Sequence, residues 1–348
     1  MNTPYLRGTR ENRTLRFAIA TALSLGIAYG AAVPLPYLTP LFVALLSTAP
    51  GPPLGPKALF VLLCVASLAL AVGLLLIPML RYYPGTAVLV IGMGLYVSMY
   101  LTVIAGKRVL GMFLTVGFTF VSVAGVIDYA LATMIITSLL LAIGIAVMCL
   151  WVVYPLFPDR AVGGPAQEPP AGAAVSNWLA LRAALIVLPA YLLALTNPSQ
   201  YLMTIMKSVS LGQQTSVLDA RHAGRELIGS TFVGGILAVA CWQLLTLAPT
   251  LWMFVLWMLL FALYVGAKLY GFLPTRYAPS FWVNALVTMI ILLGPAVEDS
   301  AGGKDAMQAF LVRFATFIGV TLYAWAALVV LENLRRRRQR KRGLQAAC

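Results

Sequence analysis

The chain has 348 residues, of which 61% are hydrophobic and 10% are charged, and its mean hydropathy is +0.92. A water-soluble domain carries about a quarter charged residues, so soluble folds are excluded. Continuous apolar runs of about twenty residues predict membrane-spanning helices, because a transmembrane β-strand needs only about ten residues of alternating polarity.

Six apolar segments occupy the first half of the chain, and the second of them is too short. Its thirteen residues make about 20 Å of helix, against a hydrocarbon core of about 30 Å. Because a run rich in proline and glycine follows at residues 50–56, we expect a broken helix that exposes backbone dipoles to a ligand. A re-entrant or tilted packing helix without a ligand is the alternative. The six segments lie near residues 14–33, 37–49, 58–80, 84–105, 108–127 and 129–154.

A polar stretch rich in proline and glycine at residues 157–172 is typical of a linker. Six apolar segments follow it, and the second of these is again thirteen residues long. They lie near residues 178–196, 199–211, 226–248, 250–271, 277–296 and 306–332. The predicted parts are a first six-helix repeat at 1–156, a cytoplasmic linker at 157–176, a second six-helix repeat at 177–334 and a basic cytoplasmic tail at 335–348.

The two halves share short sequence features at similar offsets. Tyr37-Leu38 begins the second segment of one half, and Tyr201-Leu202 begins that of the other. An even number of spans gives both halves the same orientation, related by an axis along the membrane normal. The predicted fold is an all-α polytopic membrane protein with about twelve transmembrane helices in two parallel six-helix repeats.

The formal net charge of +14 is concentrated beside the apolar segments. With the N-terminus inside, twenty basic residues fall on the cytoplasmic side and only Arg81 and Lys304 fall outside, which predicts two cytoplasmic termini. The basic cluster at residues 335–342 is expected to bind anionic lipids. Nucleic-acid binding is excluded because no soluble domain remains to read a groove.

Lys207 lies in the middle of the short segment of the second half. An ammonium group inside the membrane is costly and normally faces a cavity or a partner. We therefore expect Lys207 to bind an anionic substrate, with Tyr37 and Tyr201 as further substrate-binding residues. Snorkelling of Lys207 past Leu211 to the cytoplasmic face is the alternative.

The most polar run of the chain follows at residues 219–226. On a helix, Asp219, His222 and Glu226 share one face, and the unperturbed pKa of histidine is about 6.5, so these residues are predicted to couple protons. Arg221 and Arg225 share the neighbouring face and are predicted to bind substrate. The alternative is that Asp219 caps the next helix and that the remaining residues form a solvated turn.

Arg313 lies within the last apolar segment. Its partner is expected to be Asp305 or an acidic loop at residues 298–299. Alternatively, Arg313 lines the outer half of the pathway and binds substrate.

Motifs for catalysis are absent from the sequence. It contains no nucleotide-binding loop, no metal-binding motif and no Ser/His/Asp set at one membrane depth. The four cysteines are scattered, without disulfide or metal spacing. We therefore expect no enzymatic activity, no cofactor and no metal.

The duplicated six-span unit, the run at residues 219–231 and the run at residues 313–320 resemble the fusaric acid resistance/aromatic acid exporter family, in particular its short members without a soluble insert. The resemblance covers nearly the whole chain. It implies an exporter of aromatic or other organic acids in the bacterial inner membrane, driven by the proton gradient, that works with a periplasmic adaptor protein and an outer-membrane channel. By motif position, the family's basic residues and glycines in the third and sixth spans match Arg225, Gly229, Arg313 and Gly319.

The residues and the resemblance together predict a secondary transporter that exports organic anions by antiport with protons. A passive organic-anion channel is one alternative, and its flux would follow the anion gradient without protons. A non-transporting scaffold of an envelope efflux complex is another, and it would tolerate loss of Lys207 and Arg225. A homo-oligomer is compatible with the sequence.

Overall fold

The structure is a computed structural model, which describes residues 4–48, 51–103, 105–158, 173–197, 205, 207–209, 220–301 and 306–345. These residues form helices joined by short connections, and no strand occurs among them. The predicted all-α class is confirmed.

The helices follow the predicted segments in order. The first half contains α1 (Pro4–Gly30), α2 (Leu38–Leu46), α3 (Pro56–Tyr82), α4 (Pro84–Val103), α5 (Arg108–Val116), α6 (Ser122–Ile127) and α7 (Tyr129–Val153). A π-helical turn, Gly117–Val121, joins α5 to α6, so that the three form one continuous helix. The second half contains α8 (Ala173–Thr196), α9 (Ala220–Leu247), α10 (Leu251–Leu269), α11 (Pro279–Ala301) and α12 (Ala306–Gln345).

Nine helices of the described part are long and apolar enough to cross a membrane: α3, α4, α5 with α6, α7, and α8 to α12. The protein is therefore a multi-pass helical membrane protein. Three of the twelve predicted segments are not among the nine. The segment at 14–33 lies in α1, whose first half is charged, the segment at 37–49 contains only the short α2, and the segment at 199–211 lies largely outside the described residues. The count of twelve stays a prediction.

Three boundaries differ from those predicted. Helix α8 begins at Ala173, within the predicted linker, and α12 continues to Gln345 through the predicted basic tail. The prediction of an acidic loop at residues 298–299 is wrong, because α11 remains helical to Ala301.

Over the described residues, the chain forms two compact units. Unit 1 comprises Met1–Leu68, Ala130–Pro169 and Gly229–Ala315, and unit 2 comprises Ala69–Tyr129, Pro170–Ile228 and Thr316–Cys348. Each unit therefore contains helices from both halves of the sequence.

Unit 1 is built around α1, which packs along α10 in an antiparallel direction. Tyr29, at the end of α1, meets Phe254 near the start of α10, with ring centroids 5.1 Å apart. Phe17, earlier in α1, meets Tyr270 just after α10, and Arg10 donates a hydrogen bond to the carbonyl of Gly271. These contacts define two opposite ends of unit 1, which we call the Tyr29 end and the Arg10 end.

Helix α2 confirms the short second segment, because it has only nine residues. Tyr37, which precedes it, packs against Gly294 at the Tyr29 end. The carbonyl of Ser47, which follows it, accepts a 2.8 Å hydrogen bond from the Tyr270 hydroxyl at the Arg10 end. Helix α2 and the residues that flank it therefore carry the chain from one end of unit 1 to the other, although the helix itself is only about 14 Å long.

Unit 2 is built around α4, which packs against α5 and α8. Its interior contains hydroxyl groups that bond to one another: Ser98 to Thr115 at 2.9 Å, and Ser122 to Tyr191 at 3.3 Å. Elsewhere in the unit, α8, α9 and α12 share an apolar core formed by Ile186, Leu227, Val320, Ala324 and Leu328.

Candidate functional site

The described residues include only part of the predicted site. Tyr201 and Asp219 lie outside them, and the side chains of Arg221, His222 and Arg225, in the first turns of α9, also lie outside the described part. Glu226 is half-buried in α9. The predicted proton-coupling group of Asp219, His222 and Glu226 therefore stays a prediction, as do the roles of Arg221 and Arg225.

Lys207 is fully buried, with 0% of its side chain exposed. Its described neighbours along the chain, Ile205, Ser208 and Val209, are buried as well. An ammonium group at such a position is costly unless a partner or a ligand balances its charge. The burial argues against snorkelling to the cytoplasmic face, and anion binding by Lys207 stays a prediction.

Arg313, in α12, pairs with Asp299 in α11. The Nη2 atom of Arg313 lies 2.6 Å from Oδ2 of Asp299, and the two side chains are 23% and 15% exposed. The acidic group at 298–299, one of the two partners expected from the sequence, is thus confirmed as the partner of Arg313. The two side chains form a close, largely buried ion pair, and removal of one partner would leave a costly charge on the other.

Tyr37 and Arg313, which the sequence singled out separately, come together in unit 1. Tyr37 is buried against Gly294, where a Cβ atom would overlap its side chain. The carbonyl of Gly294 accepts a 3.4 Å hydrogen bond from the Tyr29 hydroxyl. Glu298 interacts electrostatically with Tyr29, Tyr37 and Arg313. We call Tyr29, Tyr37, Glu298, Asp299 and Arg313 the Arg313 cluster.

A cavity of about 420 Å³ adjoins the Arg313 cluster through Tyr29. Aromatic side chains and hydroxyl groups line it together with aliphatic residues: Tyr29, Trp242, Leu245, Thr246, Pro249, Thr250, Leu251, Phe254, Val297 and Ser300. This volume lies within the range of small-molecule sites, about 300–1,000 Å³. We call it the Tyr29 cavity. No sequence pattern indicates it, because it forms where the ends of α1, α9, α10 and α11 meet.

Two further arginines are buried, although the sequence analysis counted them among the cytoplasmic charges. Arg16, in α1, lies over the Tyr154 ring and donates a 3.3 Å hydrogen bond to the carbonyl of Phe157. Arg182, in α8, lies 3.6 Å from the carboxylate of Glu332 in α12. Arg16 thus connects α1 to the chain just after α7, and Arg182 connects α8 to α12. Each contact joins the first span of one half to the last span of the same half or to the residues that follow it.

In the described part of the chain, no three His, Cys, Asp or Glu side chains lie close enough together to hold a metal ion.

The comparisons with known proteins give one match. Residues 13–153, from α1 to the end of α7, match the model of a family described as Protein of unknown function (DUF2955). It is a family of membrane proteins, and the match covers less than half of the chain. No curated protein and no solved structure matches the chain.

Proposed function

We propose that the protein is a secondary transporter that exports organic acids, aromatic carboxylic acids among them, across the bacterial inner membrane in exchange for protons. The observation that carries the proposal is the complete burial of Lys207 in a chain of membrane-spanning helices. A cation held inside a membrane protein marks a substrate or ion pathway. Its complementary ligand is an anion, and a carboxylate provides the single charge that an ammonium group binds.

The proposal includes membership of the fusaric acid resistance/aromatic acid exporter family. Its support is the polar run at residues 219–231 and the run at residues 313–320. Membership of this family implies that the protein works with a periplasmic adaptor protein and an outer-membrane channel. The proposal places both termini in the cytoplasm, because most of the basic residues fall on the same side of the membrane as the termini.

The proposal also includes two parallel six-helix repeats, which helix pairing supports. In unit 1, α1 packs on α10, so that the first helix of one half meets the fourth helix of the other. In unit 2, α8 packs on α4, which is the same pairing with the halves exchanged. Reciprocal pairing of this kind is expected when two similar repeats assemble with each other.

Close helix contacts at glycine residues also support the two six-helix repeats. In unit 2, Gly73 of α3 approaches the backbone of Gly117 in the fifth span of the first half. In unit 1, Gly234 of α9 approaches the backbone of Ala285 in α11, which is the fifth span of the second half. Small residues allow helices to pack closely in membranes, and here they join the third and fifth spans of each half.

Transport into inside-out vesicles tests the function. Vesicles with the wild-type protein should accumulate labelled benzoate or phenylacetate when a proton gradient is applied, and the Lys207→Met protein should accumulate almost none at equal abundance. Lys107→Met is the matched control, because Lys107 is exposed in a loop, and it should transport normally.

Three outcomes would overturn the proposal. Transport that ignores the proton gradient would indicate a passive channel. Normal transport by Lys207→Met would remove the observation on which the proposal depends. Absence of transport for every acid tested would favour the alternative of a non-transporting scaffold of an envelope efflux complex.

A further inference from the structure

We propose that a groove between α1 and α10 binds an anionic phospholipid, with Lys268 at the phosphate group of the lipid and an acyl chain of the lipid in the groove. The site involves neither Lys207 nor the Arg313 cluster, so the inference goes beyond the proposed function. All the residues that form it belong to unit 1.

The groove is a cavity of about 420 Å³ at the Arg10 end of unit 1. Apart from Glu11 and Thr14, aliphatic and aromatic side chains line it. Leu260 and Ala267 both line it, and their separation along the helix shows that the groove extends about 10 Å along α10. We call it the α1–α10 groove. Its exposed apolar side chains offer a surface for an acyl chain; they are Leu15, Leu260, Leu263, Tyr264 and Phe272.

One end of the α1–α10 groove lies at a membrane surface. Helix α10 ends at Leu269 and α11 begins at Pro279, and both helices are long and apolar enough to cross a membrane. Aromatic side chains gather at the connection between them: the ring of Trp282 lies 5.9 Å from that of Tyr264 and 6.4 Å from that of Tyr277. Tyrosine and tryptophan are enriched at the depth of the lipid headgroups, so a headgroup is expected at this connection.

Lys268 provides a positive charge beside the groove. Its Nζ atom lies 5.9 Å from the centre of the Tyr264 ring, which lines the groove, and donates a 2.9 Å hydrogen bond to the carbonyl of Pro274. An ammonium group has three N–H donors. No other hydrogen bond or ion pair of Lys268 occurs among the described residues, so two donors are available to the oxygen atoms of a phosphate group.

The charges around this connection favour an anionic headgroup over a zwitterionic one. Arg10 donates a hydrogen bond to the carbonyl of Gly271, and the exposed Arg276 follows Pro274 by two residues. With the lysine, three basic residues are therefore present at the connection. Glu11 is the one carboxylate that lines the groove in the described part of the chain, and its charge opposes an anion. A neutral side chain at position 11 is therefore expected to strengthen lipid binding.

A purely structural role for Lys268 makes a different prediction. Lys268 lies in the last turn of α10, where a cation stabilises the end of a helix. Loss of that role would lower stability, but it would not change the preference between two lipids that have the same acyl chains. The preference between such lipids is therefore the quantity to measure.

Quenching of tryptophan fluorescence by brominated lipids tests the inference on the purified full-length protein. Phosphatidylglycerol and phosphatidylcholine with the same brominated acyl chains are the two probes, and bromine quenches tryptophan only at short range. The signal of Trp282, which is 6% exposed, is the difference between the wild type and Trp282→Phe. Phosphatidylglycerol should bind about fivefold more tightly at Trp282, as expected for one basic residue near an anionic lipid.

Trp252 provides the control for ordinary lipid contact. It lies at the opposite end of α10 and is 81% exposed, and its signal is isolated in the same way with Trp252→Phe. The two lipids should quench Trp252 equally. An equal preference for phosphatidylglycerol at both tryptophans would overturn the inference.

The variants separate a phosphate contact from general attraction to the membrane. Lys268→Met should remove most of the preference of about fivefold, whereas Lys268→Arg should retain it and Glu11→Gln should increase it. Lys57→Met is the matched control, because Lys57 is an exposed lysine of unit 1 in the first turn of α3. It should leave the preference unchanged.

Equal quenching of Trp282 by the two lipids, equal losses for Lys268→Met and Lys57→Met, or a reduced preference in Glu11→Gln would each overturn the inference. Glu11→Gln keeps the test valid if Lys268→Met does not fold. Excess inorganic phosphate should not displace the brominated phosphatidylglycerol, and displacement would indicate a site for a free phosphate ion instead of a lipid. None of these measurements depends on transport, so they stand apart from the proposed function.

Discussion

The short segments of the two halves provide positive charge in different ways. With Tyr37 matched to Tyr201, Lys207 in unit 2 corresponds to Val43 in unit 1, and both side chains are fully buried. The second half therefore has a cation within its short segment. Near the short helix of the first half, the guanidinium group of Arg313 interacts with Tyr37; it belongs to α12 and is already paired with Asp299.

This difference indicates that two similar helical units can be specialised by a few polar residues. The Lys207 charge belongs to the short segment itself, whereas the Arg313 charge belongs to α12 and is shared with Asp299. The following predictions test how far the two units differ.

The ion pairs of the two units should give the largest difference in stability. Arg313→Gln leaves Asp299 largely buried without its partner, and we expect the free energy of unfolding to fall by about 3 kcal/mol. Arg182→Gln should cost less, about 2 kcal/mol, although Arg182 is the more buried arginine, because Arg182 and Glu332 are 3.6 Å apart and Glu332 keeps a hydrogen bond from Trp178. Unfolding in mixed micelles titrated with dodecyl sulfate measures both.

The double variant Asp299→Asn/Arg313→Gln is the control for this comparison. It removes both charges and should regain most of the lost stability. Equal losses for Arg313→Gln and Arg182→Gln would contradict the stronger role of the pair in unit 1.

Replacement of a glycine at a close helix contact should lower stability by a similar amount in the two units. Gly73→Ala in unit 2 and Gly234→Ala in unit 1 each place a methyl group against the backbone of a neighbouring helix, 2.5 Å from the Ala285 carbonyl oxygen in the second case. Overpacking of this kind should cost about 2 kcal/mol. The shift in the thermal unfolding midpoint of the purified protein measures it.

Gly144→Ala and Gly319→Ala are matched controls, because in the described part of the chain no atom beyond the surrounding helix backbone lies within 4 Å of the added methyl group at either position. They should leave the midpoint unchanged or raise it, since alanine favours helix by up to about 1 kcal/mol. Tolerance of Gly73→Ala alone, or of Gly234→Ala alone, would weaken the two-repeat arrangement.

Removal of two tyrosine hydroxyl groups should have the smallest effect on the free energy of unfolding. In unit 1, Tyr29 of α1 bonds to α11, and in unit 2, Tyr191 of α8 bonds to Ser122 of α6, so each joins the first helix of one half to the fifth span of the other. Tyr29→Phe and Tyr191→Phe should each lower the free energy of unfolding by roughly 0.5–1 kcal/mol. The same titration with dodecyl sulfate measures both, and a loss above about 2 kcal/mol in only one unit would contradict the reciprocal pairing.

Part of the fold and of the site could be predicted from the sequence. The short second segment was visible because thirteen apolar residues are followed by four prolines and two glycines within residues 50–56. Lys207 stood out because a charge in an apolar run is rare. The acidic residues after Pro295 were placed in a loop because charges usually end a span. In the structure, α11 continues through them, and Arg313 provides the opposite charge that Asp299 requires.

The sequence by itself determined that this is a helical membrane protein, which segments most of its helices occupy and that Lys207 lies within an apolar run. Those properties follow from the hydropathy and the charge of successive residues along the sequence. Only the tertiary structure decided that Tyr37 meets Gly294, that Arg313 pairs with Asp299, and that four helix ends line the Tyr29 cavity. The physical reason is that membrane-spanning helices are apolar on every side, so that no hydrophobic period marks the face that packs. Their contacts depend on close fit between small residues and on single polar pairs, whose partners can be hundreds of residues apart.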